Sequence, residues 1–115
     1  MISLEALALA AALAGSGPVY SGIERQTRIA VPRVEASVKV DGDLSEPAWE
    51  QAARLTDFSQ FAPDDGRPAR NGTEVLVWYS PGAIHFGIRA TAAPGTIRAT
   101  LADRDRIDND DWVQI

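Results

Sequence analysis

The sequence contains no cysteine, which removes a disulfide framework, a thiolate zinc site and a thiol nucleophile at once. It holds one histidine and one methionine. A haem would therefore have only His85 or Met1 for axial ligation, and haem is set aside on that ground; no nucleotide is expected either. A single histidine with no nucleophile-elbow motif gives no basis for a Ser-His-Asp triad. Basic residues are also scarce, 11 Lys and Arg against 16 Asp and Glu for a formal net charge of -5. Nucleic acid is an unsuitable partner, because phosphate neutralisation needs a basic stripe and these cations are scattered.

What is present is ordinary globular material: 115 residues, 45% hydrophobic and 23% charged, enough for one core and too short for two. The longest apolar run, Ala6 to Ala14, is followed by Gly15, Ser16, Gly17 and Pro18. Its length suits the apolar stretch of a secretory signal and falls short of a bilayer span. Ala12-Leu13-Ala14 supplies the small-x-small cleavage pattern, so residues 1–14 are expected to be an export signal; a buried Ala/Leu helix is the alternative. Residues 15–33, with glycine, serine, proline and isolated arginines, read as a linker.

From Val34 the pattern alternates, with Val34, Ala36, Val38 and Val40 on one side and Glu35, Ser37, Lys39 and Asp41 on the other. This predicts a half-buried strand ended by the Asp41-Gly42 turn. Ser45 suits an N-cap with Pro47 in the first turn, predicting a short helix from about Glu46 to Arg54 with Trp49 as a core anchor. A short strand is expected over Leu55–Phe61, then a loop from Ala62 to Gly72. Thr73–Ser80 and Ala83–Thr91 are β-rich runs separated by Pro81-Gly82, which suits a type II turn. The register then opposes Tyr79 to Ile84, Val77 to Phe86 and Val75 to Ile88 on an apolar face. On the other face it opposes Trp78 to His85, Leu76 to Gly87 and Glu74 to Arg89.

Three segments in this order, Val40-Asp41-Gly42-Asp43-Leu44-Ser45-Glu46-Pro47-Ala48-Trp49, the Thr73–Ala90 hairpin and Arg104-Asp105 through Asp111-Trp112-Val113, resemble the family 9 carbohydrate-binding modules. The likeness is strongest to the version that opens large bacterial exported proteins ending in an outer-membrane β-barrel. The resemblance implies a mainly β fold, an antiparallel β-sandwich with one short helix, of which residues 34–115 are the N-terminal part and further strands follow. It also implies a non-catalytic module associated with the breakdown of polysaccharides, with an oligo- or polysaccharide as partner and a periplasmic, cell-envelope or outer-membrane address. With the family's acidic strand opening aligned on Asp111, Asp108 stands where the family has a tryptophan and Gln114 where it has a glutamate.

Sugar recognition needs a flat aromatic face with amides or charged groups beside it. Trp112 with Asn109 and Gln114 is one candidate set, and Trp78 with His85 and Arg89 is the other; burial beneath a later strand is the competing expectation for Trp78. Asp105, Asp108, Asp110 and Asp111 offer hard oxygens for Ca²⁺ in a loop that lacks the EF-hand glycine and glutamate; a solvated acidic loop is the alternative. Two other functions stay open: a structural or interaction domain preceding an outer-membrane barrel, and part of a glycoside hydrolase whose active site lies downstream.

Overall fold

The computed structural model describes residues 16–97, 101, 106 and 110–115; the expected export signal, and Asp105, Asp108 and Asn109, lie outside the described residues. The fold is mainly β, one open four-stranded mixed sheet with almost no helix. Strand β1 is Val19–Ser21, helix α1 Pro47–Glu50, strand β2 Ala53–Thr56, strand β3 Thr73–Ser80 and strand β4 Ala83–Ala90. Spatial order follows chain order, β1 parallel to β2 and the other pairs antiparallel.

The hairpin forms in the expected register, from Thr73 opposite Ala90 to Ser80 opposite Ala83. Its turn differs. Gly82 does not take the positive φ that a type II turn requires, yet the two-residue connection closes the same pairs, since the register is set by side-chain alternation along both strands.

The expected helix is shorter, four residues instead of nine: Gln51, still in the right-handed region, is already its C-cap. The N–H groups of Gln51 and Ala52 donate to the Ala48 and Trp49 carbonyls, three residues back, and Ala53 already belongs to β2. The cap is Glu46, without a side-chain bond, while the expected cap Ser45 donates its backbone N–H to Asp43 Oδ1 at 2.9 Å. Asp41 Oδ1 likewise accepts from the Asp43 N–H at 3.0 Å, and Gly42 between them has φ 78°. Two successive Asx turns thus aim the chain into Pro47, whose ring presets the first helical φ.

The strand expected over Val34–Val40 does not form. Arg33 makes a single parallel bridge to Tyr79, and the Ala36 N–H then donates back to the Val34 carbonyl at 3.0 Å, a tight turn that lifts the chain off the sheet. Arg33 Nε donates to Glu35 Oε1 at 2.6 Å; that hydrogen bond and the neighbouring charge raise the Arg33 pKa, but both groups are exposed and the pair adds little stability. Only part of the alternation survives as burial: Val34 is buried and Val38 half-buried, whereas Val40 is 99% exposed.

The strand expected at Leu55–Phe61 starts two residues earlier and ends at Thr56, because Asp57 turns the chain with φ 51°. Residues 19–21 of the expected linker are in fact β1. They lie on β2 with Val19 beside Arg54, Tyr20 beside Leu55 and Ser21 beside Thr56. Three residues carry too little periodic signal to stand out from their surroundings, and the long-range partner supplies the pairing.

The core lies on one side of the sheet, where α1 and the loop before it cover β3 and β4. Val34, Ala48, Trp49, Ala52, Leu76 and Trp78 form one buried cluster, with Val38 and Leu44 against it. The Trp49 and Trp78 rings meet edge to face at 5.8 Å, a favoured arrangement of their quadrupoles. Gly87 makes this approach possible: a Cβ there would stand 2.9 Å from Leu44 Cδ2 and from Trp49 Cζ3. The other side of the hairpin, the wholly apolar one, is largely open. Tyr79, Ile84 and Phe86 are 39%, 58% and 38% exposed, while Val77 is buried.

Candidate functional site

Alternation along β3 and β4 puts Trp78, Leu76 and Glu74, with His85, Gly87 and Arg89 opposite, on the side that α1 covers. The cover ends before the open end of the hairpin, so this face passes from core into cleft. Trp78, the fully buried member, has 0% exposure. Its indole stacks on the His85 imidazole at 3.8 Å and 15°. The Trp78 and His85 pairing expected from the sequence is present, but the indole is core rather than a platform for sugar, because Trp49 and Leu44 arrive over it from a distant segment.

His85 Nε2 is 3.1 Å from Ser80 Oγ. Among the described residues no carboxylate is recorded on its other nitrogen, so the pair lacks the third group that would orient a base. His85 also lines a cavity of about 300 Å³ between β4 and the Val38–Leu44 segment.

At the open end the face becomes polar. Glu74 Oε1 is buried and lies 3.1 Å from Arg54 Nε and 3.7 Å from Arg89 Nη1. These are ion-pair distances without an aligned hydrogen bond to that oxygen. One carboxylate thus lies between guanidinium groups from the two flanking strands. Arg89 keeps donors free for something else, since a guanidinium carries five N–H groups.

Above Glu74 and Arg89 lies a cleft of about 420 Å³. Ile23, Phe58 and Pro68 give it an apolar wall, while Asp57 and Asn71 stand among its polar groups. Several local features shape it. The Gly22 and Ile23 N–H groups donate to the Thr56 and Asp57 carbonyls, at 3.0 and 2.9 Å, and carry the end of β1 over the sheet. Ser21 Oγ donates to Asp57 Oδ2 at 3.2 Å, which steadies a residue in the left-handed region that aspartate tolerates better than most. The loop beyond it folds back through Ser59 bridged to Pro68 and the Ala69 N–H donating to the Phe58 carbonyl at 2.8 Å. Thr91 closes the floor, its N–H and hydroxyl both donating to the Gly72 carbonyl.

Of the residues singled out in the sequence, the structure brings Trp78 and His85 together and places Arg89 in the cleft. Trp112 is exposed, as is Gln114. Asp110 is half-buried and Asp111 exposed. Among the described residues no group of three or more His, Asp or Glu side chains converges to hold a metal, and no helix is long and apolar enough to cross a membrane. Sequence reasoning missed Ile23, Asp57, Phe58 and Asn71. The available signal was weak: Asp57 and Phe58 fell inside the strand expected over Leu55–Phe61, and the Asn71-Gly72 pair read as the end of a loop. Comparison with family models, curated proteins and solved structures finds no match to this chain.

Proposed function

We propose that this chain is a carbohydrate-binding module-like domain, non-catalytic in itself, within a larger exported protein concerned with polysaccharide breakdown. The observation that carries the reading is the opening segment: Asp41 to Trp49 forms paired Asx turns and a short helix whose indole lies against Gly87 of the hairpin. That arrangement gives a physical role to the residues on which the family resemblance rests. Calorimetric titration of the whole chain with xylo- and cello-oligosaccharides is expected to give saturable heat. Absence of heat with both series would sink the reading.

The uncovered apolar side of the hairpin supports the companion proposal that the sheet, antiparallel from β2 to β4 with β1 added in parallel, is one layer of a β-sandwich, since an apolar sheet face gains stability when a second layer covers it. The same feature favours the second reading, a structural or interaction domain ahead of an outer-membrane barrel. Any hydrolase activity on O-glycosyl compounds would, in either case, reside in another part of the protein. Calcium in the stretch from Asp105 through Asp108, Asp110 and Asp111 belongs to the same proposal. Millimolar Ca²⁺, but not Mg²⁺, is then expected to raise Tm by binding the folded chain alone. An unchanged Tm would leave the stretch a solvated acidic loop.

A further inference from the structure

We propose that the cleft at the open end of the hairpin is the saccharide subsite, taking one pyranose unit of a neutral glycan. This rests on the carbohydrate-binding reading and relocates it, away from Trp112 and Gln114 and onto Asp57, Phe58, Asn71 and Arg89.

The first argument is size and lining. At about 420 Å³ the cleft lies within the usual range for small-molecule sites. Its wall is amphipathic in the manner a pyranose requires: Ile23, Phe58 and Pro68 offer C–H and ring surface to the axial hydrogens of a sugar, and polar groups stand at its margin.

The second argument is charge. The cleft carries two carboxylates, Asp57 and Glu74, and one guanidinium, Arg89, and Arg54 reaches Glu74 from β2. A ligand entering therefore meets charges of both signs in balance. An anion would face both carboxylates, and a cation would face both arginines. A hydroxyl is donor and acceptor at once, so it is served by both. Asp57 would accept, Arg89 would donate through its free N–H groups, and the Asn71 amide would do either. Among the described residues Asn71 has no hydrogen-bond partner for that amide.

The third argument is preorganisation. Asp57 is fixed by its carbonyl to Ile23 and by its carboxylate to Ser21, whereas Arg89 lies 3.7 Å from Glu74 and stays half-exposed. Little of the Asp57 side chain's freedom is then lost on binding, which favours affinity.

The test is a titration of the isotope-labelled whole chain with cellotetraose and xylotetraose, followed by amide chemical shifts and calorimetry. The largest shifts are expected at residues 56–58, 71–74 and 89–91. Arg89→Gln and Asn71→Ala are each expected to weaken binding about tenfold, the scale of a lost hydrogen bond to a charged or unpaired group. Trp112→Ala is expected to leave affinity unchanged. Among the described residues the Asn71 side chain makes no hydrogen bond, so Asn71→Ala keeps the test valid if Arg89→Gln is unstable. Binding that survives the cleft variants, or shifts that centre on residues 110–115, would overturn this site and leave the carbohydrate reading standing. No binding of either saccharide would overturn both.

Discussion

Replacing Trp78 with alanine is expected to abolish the cooperative unfolding transition of this chain. The indole has no exposed surface, touches Trp49 edge-on and stacks on His85, so truncation removes contacts to β4 and to α1 together. Large-to-small changes at such positions cost about 3–5 kcal/mol, lost transfer energy plus the cavity left behind. A small single domain has about 5 kcal/mol at the lower end of the usual range, so most of it would go. Among the described residues the Trp78 N–H has no acceptor, which makes Trp78→Phe the informative companion. Phenylalanine keeps an aromatic ring beneath Trp49 and sheds an unsatisfied donor, and it should recover most of the loss. Urea titration followed by far-UV circular dichroism reads both variants. Phe61→Ala serves as the reference, since that ring is 90% exposed. If Trp78→Ala shifted the midpoint no more than Phe61→Ala, the core would have been wrongly placed.

Gly17→Ala is expected to release β1 from the sheet. A Cβ at Gly17 would collide with the Ala52 carbonyl oxygen and would stand 2.7 Å from the Gln51 carbonyl oxygen. These are backbone atoms where α1 passes into β2, and no rotamer change relieves them. The Ser16 and Gly17 N–H groups both donate to the Glu50 carbonyl, and the Arg54 N–H donates to the Pro18 carbonyl at 2.8 Å. The incoming strand must yield instead, losing these bonds and its parallel ladder with β2. Overpacking of this kind costs about 1–3 kcal/mol. The consequence is local: rapid amide exchange and proteolytic cleavage within residues 16–26, with the β2 to β4 ladder intact. Gly82→Ala is the control, because nothing lies within 4 Å of its Cβ position and its φ is not positive. Equal protease resistance of Gly17→Ala and Gly82→Ala would contradict the placement of β1. Loss of β1 would also carry away Ile23, so the cleft would lose part of its apolar wall.

These two positions show where reading the chain succeeds and where it stops. Trp78 was legible as a residue opposite His85, because cross-strand pairing follows from alternation and a two-residue connection alone. Its burial was foreseen as the competing expectation, but beneath a later strand; that α1 and the segment before it would supply the cover was not legible. Both faces of the hairpin offer large apolar side chains, and the more uniformly apolar one, with Tyr79, Ile84 and Phe86, is the one left open. The decision came from Gly87, which clears space on the opposite face for Trp49 and Leu44. Gly17 lay in a segment that reads as a linker, and nothing in its neighbours signals a strand. The cleft shares that difficulty. Ile23, Asp57, Phe58, Asn71 and Arg89 are scattered over almost seventy positions, and each has an ordinary local explanation. Arg89 alone was singled out, through its pairing with Glu74.

The sequence by itself determined the hairpin register, the Asp41-Gly42-Asp43 turn into Pro47 and the role of Trp49 as an anchor. The first two depend on interactions between residues near in the chain or joined by a tight turn, where alternation, Asx bonding and proline geometry act directly; the third follows from the apolar face of a short helix. Tertiary structure decided which hairpin face became core, that residues 19–21 joined β2, that residues 34–40 left the sheet and that a polar cleft opened beyond the core. Each of those outcomes is a competition for burial or for a hydrogen-bond partner supplied from a distant segment, and the winner depends on which segments the fold brings together.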